Sequence, residues 1–179
     1  YTVMFMVPTG YVLTDDNSLG SNDDNDSDAN QITGNTSVIS LAPGQTITNV
    51  DAGIYQTASI GNYVWEDLDK DGIQDAGEPG VNGVTVLLKN SGGNVLQTTV
   101  TATNAGTAGY YQFTNLAPGD YIVMFMTPSG YNETTPNATA DNNDSDADPT
   151  TGNTSIINLV SGESDQTIDA GIYRPATIG

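Results

Sequence analysis

An all-β sandwich repeated in tandem is predicted by three features of this sequence. Apolar residues alternate with polar ones at period two, Gly/Pro/Asn turns interrupt the alternation at short intervals, and long stretches of the chain recur. Tyr1-Thr-Val-Met-Phe-Met-Val-Pro-Thr-Gly-Tyr11 returns as Tyr121-Ile-Val-Met-Phe-Met-Thr-Pro-Ser-Gly-Tyr131. Asn25–Ala29 returns as Asn143–Ala147, Thr33–Ser37 as Thr151–Ser155, and Val50–Tyr55 as Ile168–Tyr173. Ala58-Ser-Ile-Gly61 reappears as Ala176-Thr-Ile-Gly179. Residues 1–56 therefore read as the C-terminal half of one repeat, 57–174 as a complete repeat and 175–179 as the start of the next. Tyr1 lies inside an apolar alternating run, so the chain reads as a window on a longer polypeptide. Residues 1–56 hold about three strands, too few for a closed core, and need completion by the same chain or another. The junctions Gln56-Thr57 and Arg174-Pro175 leave no Gly/Ser-rich spacer, which favours a limited range of angles between repeats.

Within the complete repeat, strands are expected near 60–66, 83–89, 94–101, 109–115, 120–127, 154–160 and 167–173. Val84, Val86 and Leu88 share one face of the second. The fifth is apolar on both faces, with Tyr121, Val123 and Phe125 on one and Ile122, Met124 and Met126 on the other, which suits a central strand. Asn90–Gly93, Ala117–Asp120 and Pro128–Gly130 supply turns, and no segment carries a helical apolar stripe behind an N-cap. Seven short strands at this spacing predict an immunoglobulin-like Greek-key β-sandwich. The recurring methionines 4, 6, 124 and 126 read as core fillers, and the single tryptophan, Trp65, as a packed residue.

Charge restricts function. The 179 residues include 22 acidic and 3 basic ones, no histidine and no cysteine, for a net charge of −19. Nucleic acid and anionic membrane surfaces are not expected partners, since both need clustered Lys and Arg. No run approaches the length of a membrane span, so no membrane insertion is expected. Missing His and Cys remove the usual general base, nucleophile and zinc ligands, and no enzymatic activity is expected.

Such acidity points toward cations, and one loop has the spacing to hold one. Asp67-Leu-Asp69-Lys-Asp71-Gly72-Ile73-Gln-Asp75-Ala-Gly-Glu78 places carboxylates at loop positions one, three, five, nine and twelve. Glycine stands at six and a backbone carbonyl, that of Ile73, at seven, which is the ligand pattern of an EF-hand calcium loop. A hard divalent cation needs six to eight converging oxygens, and alternate residues of a tight loop supply them. Because no flanking helices are expected, this loop reads as a rivet between strands and not as a sensor. A second acidic segment, Asp141, Asp144, Asp146 and Asp148, spaces oxygens similarly. It recurs in the first copy around Asp23, Asp26 and Asp28, with Asn30 in place of Asp148. Asp51, Asp169 and Glu66, at strand ends, are candidates to complete a site. Calcium is the expected ion, ahead of magnesium with its stricter octahedral demand. Asn-x-Ser/Thr sequons at Asn25, Asn35, Asn132, Asn137, Asn143 and Asn153 add glycosylation as a side expectation.

Several motifs in order carry a family resemblance: Ile60–Asp67 leading into Asp69–Asp75, then Gly80–Val86, Gly109–Leu116, Pro118–Tyr121 and the closing Asp169–Tyr173. Together these resemble the calcium-binding B repeat of serine-aspartate-repeat surface adhesins, a group related to Cna-type B domains. The resemblance covers 57–174 and the back half of the pattern in 1–56. It implies a calcium-rigidified β-sandwich in an extracellular stalk on a bacterial cell surface, in contact with neighbouring repeats of the same chain. Related Cna-type domains carry Lys–Asn isopeptide crosslinks. Residues 1–56 contain no lysine and Lys89 lies beside a turn, so calcium is expected to supply the rigidity here. Two other readings stand beside the stalk: a building block that associates with other copies in an extracellular filament, and an adhesive ligand-binding module.

Overall fold

The computed structural model describes residues 1–16, 26–139 and 142–178, arranged as two compact units, Tyr1–Thr57 and Ala58–Gly179. In the first unit, β1 (Val12–Leu13) pairs antiparallel with β2 (Ile54–Tyr55), with Leu13 opposite Ile54. Hydrogen bonds between residues distant in sequence join its N-terminal run to the segment after Asp28. Phe5 N donates to Gly34 O at 2.8 Å and Thr36 N to Val3 O at 2.9 Å.

The second unit is the predicted sandwich. Its strands are β3 (Ala58–Glu66), β4 (Thr85–Asn90), β5 (Val95–Val100), β6 (Ala102–Asn104) and β7 (Thr107–Leu116). They are followed by β8 (Gly119–Met126), β9 (Asn132–Glu133), β10 (Ile157–Leu159), β11 (Ser164–Asp165) and β12 (Ala170–Tyr173). One sheet runs β10-β8-β4-β5, and the other runs β6-β7-β3-β12-β9 with β11 also paired to β3. All seven expected strands are present. The short β6, β9 and β11 are additions, each of two or three residues and too brief to show a period.

Alternation places one face of each sheet in a common core. Val86 and Leu88 lie opposite Phe125 and Val123 in the β4–β8 register, and all four are buried. From the facing sheet come Ile60 and Val64 of β3, Tyr111 and Phe113 of β7, and Ala170 and Ile172 of β12. Tyr111 meets the rings of Phe113 and Phe125 edge-on, at centroid distances of 5.9 and 5.4 Å. Burying a side chain such as Phe125 contributes roughly 1.5–3 kcal/mol.

The methionine expectation is corrected. Core positions on β8 belong to Tyr121, Val123 and Phe125, and period-two geometry turns the intervening methionines outward. Met4, Met6 and Met126 are exposed and Met124 is half-buried. Trp65 is fully buried against the backbone of Gly171, where a Cβ would lie only 2.8 Å from the indole Cζ2.

Strands β3 and β12 run parallel, pairing Val64 with Ala170 and Glu66 with Ile172. Their shared end delivers the residue after β3 directly to β12, and Asp67 N donates to Ile172 O at 2.9 Å. This junction positions the first acidic loop.

Candidate metal centre

Asp67 begins the loop and is 2% exposed. Three neutral donors hold its carboxylate: Lys70 N on Oδ1 at 2.5 Å, Gly72 N on Oδ2 at 3.0 Å and Thr134 Oγ1 on Oδ2 at 2.5 Å. The loop folds tightly because Lys70 and Gly72 both take positive φ, 65° and 85°. A side chain at Gly72 would also strike Thr135 O, which a Cβ would approach to 2.4 Å. The Asp69 and Asp71 carboxylates cap the loop two residues ahead, accepting from Asp71 N at 3.4 Å and Ile73 N at 2.8 Å. Oxygens of Asp67, Asp69 and Asp71 lie within 4.8 Å of one another.

The other loop positions are arranged differently. Glu78 accepts from Leu68 N through Oε1 at 2.7 Å and from Asp75 N through Oε2 at 3.0 Å, closing the loop on itself. Asp75 and Glu78 do not join the group of three. Ile73 forms a bridge with Asp144 of the second acidic segment.

That bridge exposes a relation the sequence does not show, because the two acidic segments lie side by side. Gln74 N donates to Asn143 O at 2.7 Å and Ser145 N to Gly72 O at 3.2 Å. Asp144 is buried and accepts from Thr139 N at 2.8 Å. Asp146 and Asp169 hold each other, Asp146 N donating to Asp169 O at 2.9 Å and Asp169 N to Asp146 Oδ2 at 2.7 Å. Asp169 is fully buried, and that burial lifts its carboxyl to about 8. The Tyr63 amide and the Asn62 side chain oppose the shift, while the charges of Asp146 and Asp144 reinforce it. Asp148 faces solvent, and its Oδ1 accepts from Thr150 N, Thr151 N and Thr151 Oγ1 at 2.8–3.0 Å. Those bonds hold its carboxyl below the usual range and make it a turn cap. Glu66 is committed elsewhere, with Oε1 3.1 Å from Arg174 Nε and Oε2 accepting from the Tyr131 hydroxyl.

In the first unit, Asp28 and Asp51 repeat the Asp146–Asp169 pairing, with Asp28 N on Asp51 O at 3.0 Å and Asp51 N on Asp28 Oδ2 at 2.9 Å. Asp26 occupies the place of Asp144 beside buried Ser27. Asp23 and Asp141 lie outside the described residues. Lys89 Nζ donates to Asn153 Oδ1 at 3.0 Å and touches Met124 Sδ.

The donor set of the first loop fits a hard cation. A buried carboxylate held by neutral donors, with two further carboxylates within 4.8 Å, concentrates negative charge and presents oxygen ligands alone. Thr134 is the residue that sequence reasoning missed. Its hydroxyl reaches Asp67 across a sequence separation of 67 residues, and no local pattern signals such a contact.

Fold and site together define an all-β repeat module with paired acidic loops. The chain belongs to the SdrD B-like domain family, which matches residues 1–54 and 58–172. It is 43% identical over 177 residues to serine-aspartate repeat-containing protein D of Staphylococcus aureus strain Newman, covering 98% of this chain and 12% of that protein. It is 41% identical over 176 residues to serine-aspartate repeat-containing protein E of Staphylococcus aureus strain USA300, covering 97% of this chain and 14% of that protein. The chain therefore spans 12–14% of the length of these curated relatives. Among solved structures, GBS52, the minor pilin of Streptococcus agalactiae, aligns at a TM-score of 0.43 and 13% identity, over 94% of this chain and 84% of that one.

Proposed function

We propose that this chain is a calcium-stiffened structural segment, part of a stalk or fibre that extends an extracellular protein from a bacterial cell surface. The convergence of Asp67, Asp69 and Asp71 carries this reading. Their mutual repulsion, concentrated on a buried carboxylate, disfavours the compact loop until a divalent cation offsets it. Asp144 and Asp146, with Asp28 in the first unit, are the secondary ligand candidates. Asp26 stands with them, while Asp75, Glu78 and the Ile73 carbonyl are the remaining donors of the first loop. Membership of a family whose relatives are long serine-aspartate repeat-containing proteins supports a role as one segment among several. In this reading residues 1–56 close one repeat, 57–174 form the next and 175–179 open a third. Extension and stiffness are then the function, with neighbouring repeats as the partners.

Thermal melting of the 179-residue chain tests the proposal. Calcium is expected to raise the midpoint of the second unit above its value in chelator, with magnesium less effective. An unchanged midpoint at saturating calcium contradicts it.

A further inference from the structure

We infer that Thr134 is the positioning residue of the Asp67 loop, and that through it metal binding in the front half of the repeat is coupled to docking of the back half. The inference rests on the calcium reading and deepens it. Of the three donors on the Asp67 carboxylate, Lys70 N and Gly72 N belong to the loop itself, and Thr134 Oγ1 alone comes from elsewhere. Thr134 follows β9, is 1% exposed, and is anchored through its own N–H to Gly171 O at 2.9 Å. Its methyl sits beside the bare Cα of Gly171, since a Cβ there would lie 2.6 Å from Thr134 Cγ2. Backbone, methyl and hydroxyl are thus all fixed, and the hydroxyl has one direction in which to point.

The consequence concerns the whole loop. Gln74 and Gly72 bond to Asn143 and Ser145, so the loop's backbone rests on the back half while its first carboxylate is aimed by the back half. Residues that orient a ligand from behind commonly change metal affinity ten- to a hundredfold when removed. The back half therefore sets the calcium affinity of a loop carried by the front half, and bound calcium in turn resists separation of the two.

Calorimetric titration of calcium alone into the 179-residue chain and its variants tests this, with emission of the buried Trp65 as a parallel readout. Thr134→Val, which keeps shape and loses the donor, is expected to weaken calcium roughly ten- to a hundredfold. Thr134→Ser, which keeps the donor, is expected to stay within about threefold of wild type. Equal affinity of T134V and wild type overturns the inference, as does a loss in T134S as large as that in T134V. If T134V does not fold in chelator, T134C under reducing conditions replaces it, since a thiol is a far weaker donor than a hydroxyl and, like serine, carries a single heavy atom on Cβ. Equal affinities of T134C and T134S then overturn the inference. A wild-type chain that takes up no calcium removes the metal reading itself, an outcome distinct from the failure of Thr134.

Discussion

In the first unit Phe5 N donates to Gly34 O at 2.8 Å, Thr36 N to Val3 O at 2.9 Å and Asp51 N to Asp28 Oδ2 at 2.9 Å. In the second, Phe125 N donates to Gly152 O at 2.8 Å, Thr154 N to Val123 O at 2.9 Å and Asp169 N to Asp146 Oδ2 at 2.7 Å. The two regions share their loops and differ in their surroundings. Val3 is 39% exposed where Val123 is fully buried, and Phe5 is half-buried where Phe125 is 1% exposed. The backbone bonding of the back half of a repeat is therefore made among its own residues, across sequence separations of 23 to 33 positions. Burial of its apolar face is supplied by the strands of a front half, which β3, β4 and β7 provide in the second unit.

The largest effect should come from testing that asymmetry directly. Phe125→Ala is expected to cost about 3–5 kcal/mol in the urea transition followed by Trp65, the range for truncating a buried aromatic. Phe5→Ala should leave that transition in place. A comparable loss from Phe5→Ala, read by a tryptophan of the second unit, would contradict that asymmetry.

A second contrast lies at one aligned position. Leu13, opposite Ile54, is the counterpart of Glu133, opposite Ile172, and both are 5% exposed. Glu133 Oε1 accepts from Thr127 Oγ1 at 2.7 Å, while Oε2 is buried without a hydrogen-bond partner among the described residues. Burial raises its carboxyl from 4.5 to about 7, and the Thr127 bond opposes only part of the shift. Because the folded chain holds this proton more tightly than the unfolded chain, stability falls as pH rises from about 4.5 to about 7. The loss is on the order of 3 kcal/mol and is complete above that window. Glu133→Leu, the residue of the first copy, should remove this part of the pH dependence and raise stability at pH 8, measured by urea unfolding across pH. Asp169, whose carboxyl is lifted in the same direction, retains its own contribution in the variant. An unchanged pH profile would contradict the assignment to Glu133.

The smallest effect is expected where the copies differ in charge but agree in bonding. Asn30 Oδ1 accepts from Thr33 N and Thr33 Oγ1 at 3.1 and 3.2 Å, as Asp148 Oδ1 does from Thr151 N and Oγ1. Asp148→Asn should leave the melting midpoint in chelator unmoved. A clear drop would show that the charge, and not the turn geometry, matters at this site.

These contrasts also show what sequence could carry. Period-two alternation revealed strands such as β4, β7 and β8 because each buries one face, and internal recurrence revealed the repeat. The acidic spacing of the Asp67 loop was legible because it falls within twelve consecutive residues. Contacts that the fold makes across the chain were not legible: the seating of Ile73 on Asp144, the hydroxyl of Thr134 on Asp67 and the parallel pairing of β3 with β12. The outward methionines were misread because a strand apolar on both faces does not say which face meets the core. Glu133 could have been found, since alignment with Leu13 marks its position as apolar in the other copy.

Calcium dependence of the Trp65-reported melting transition, compared between wild type and Asp67→Asn, tests the central claim most directly. Trp65 is fully buried two residues before Asp67, so it reports on the unit that carries the loop. The account predicts that saturating calcium raises the wild-type midpoint by several degrees and that D67N loses most of this gain. A wild-type midpoint indifferent to calcium, or a D67N chain that gains as much as wild type, would contradict it.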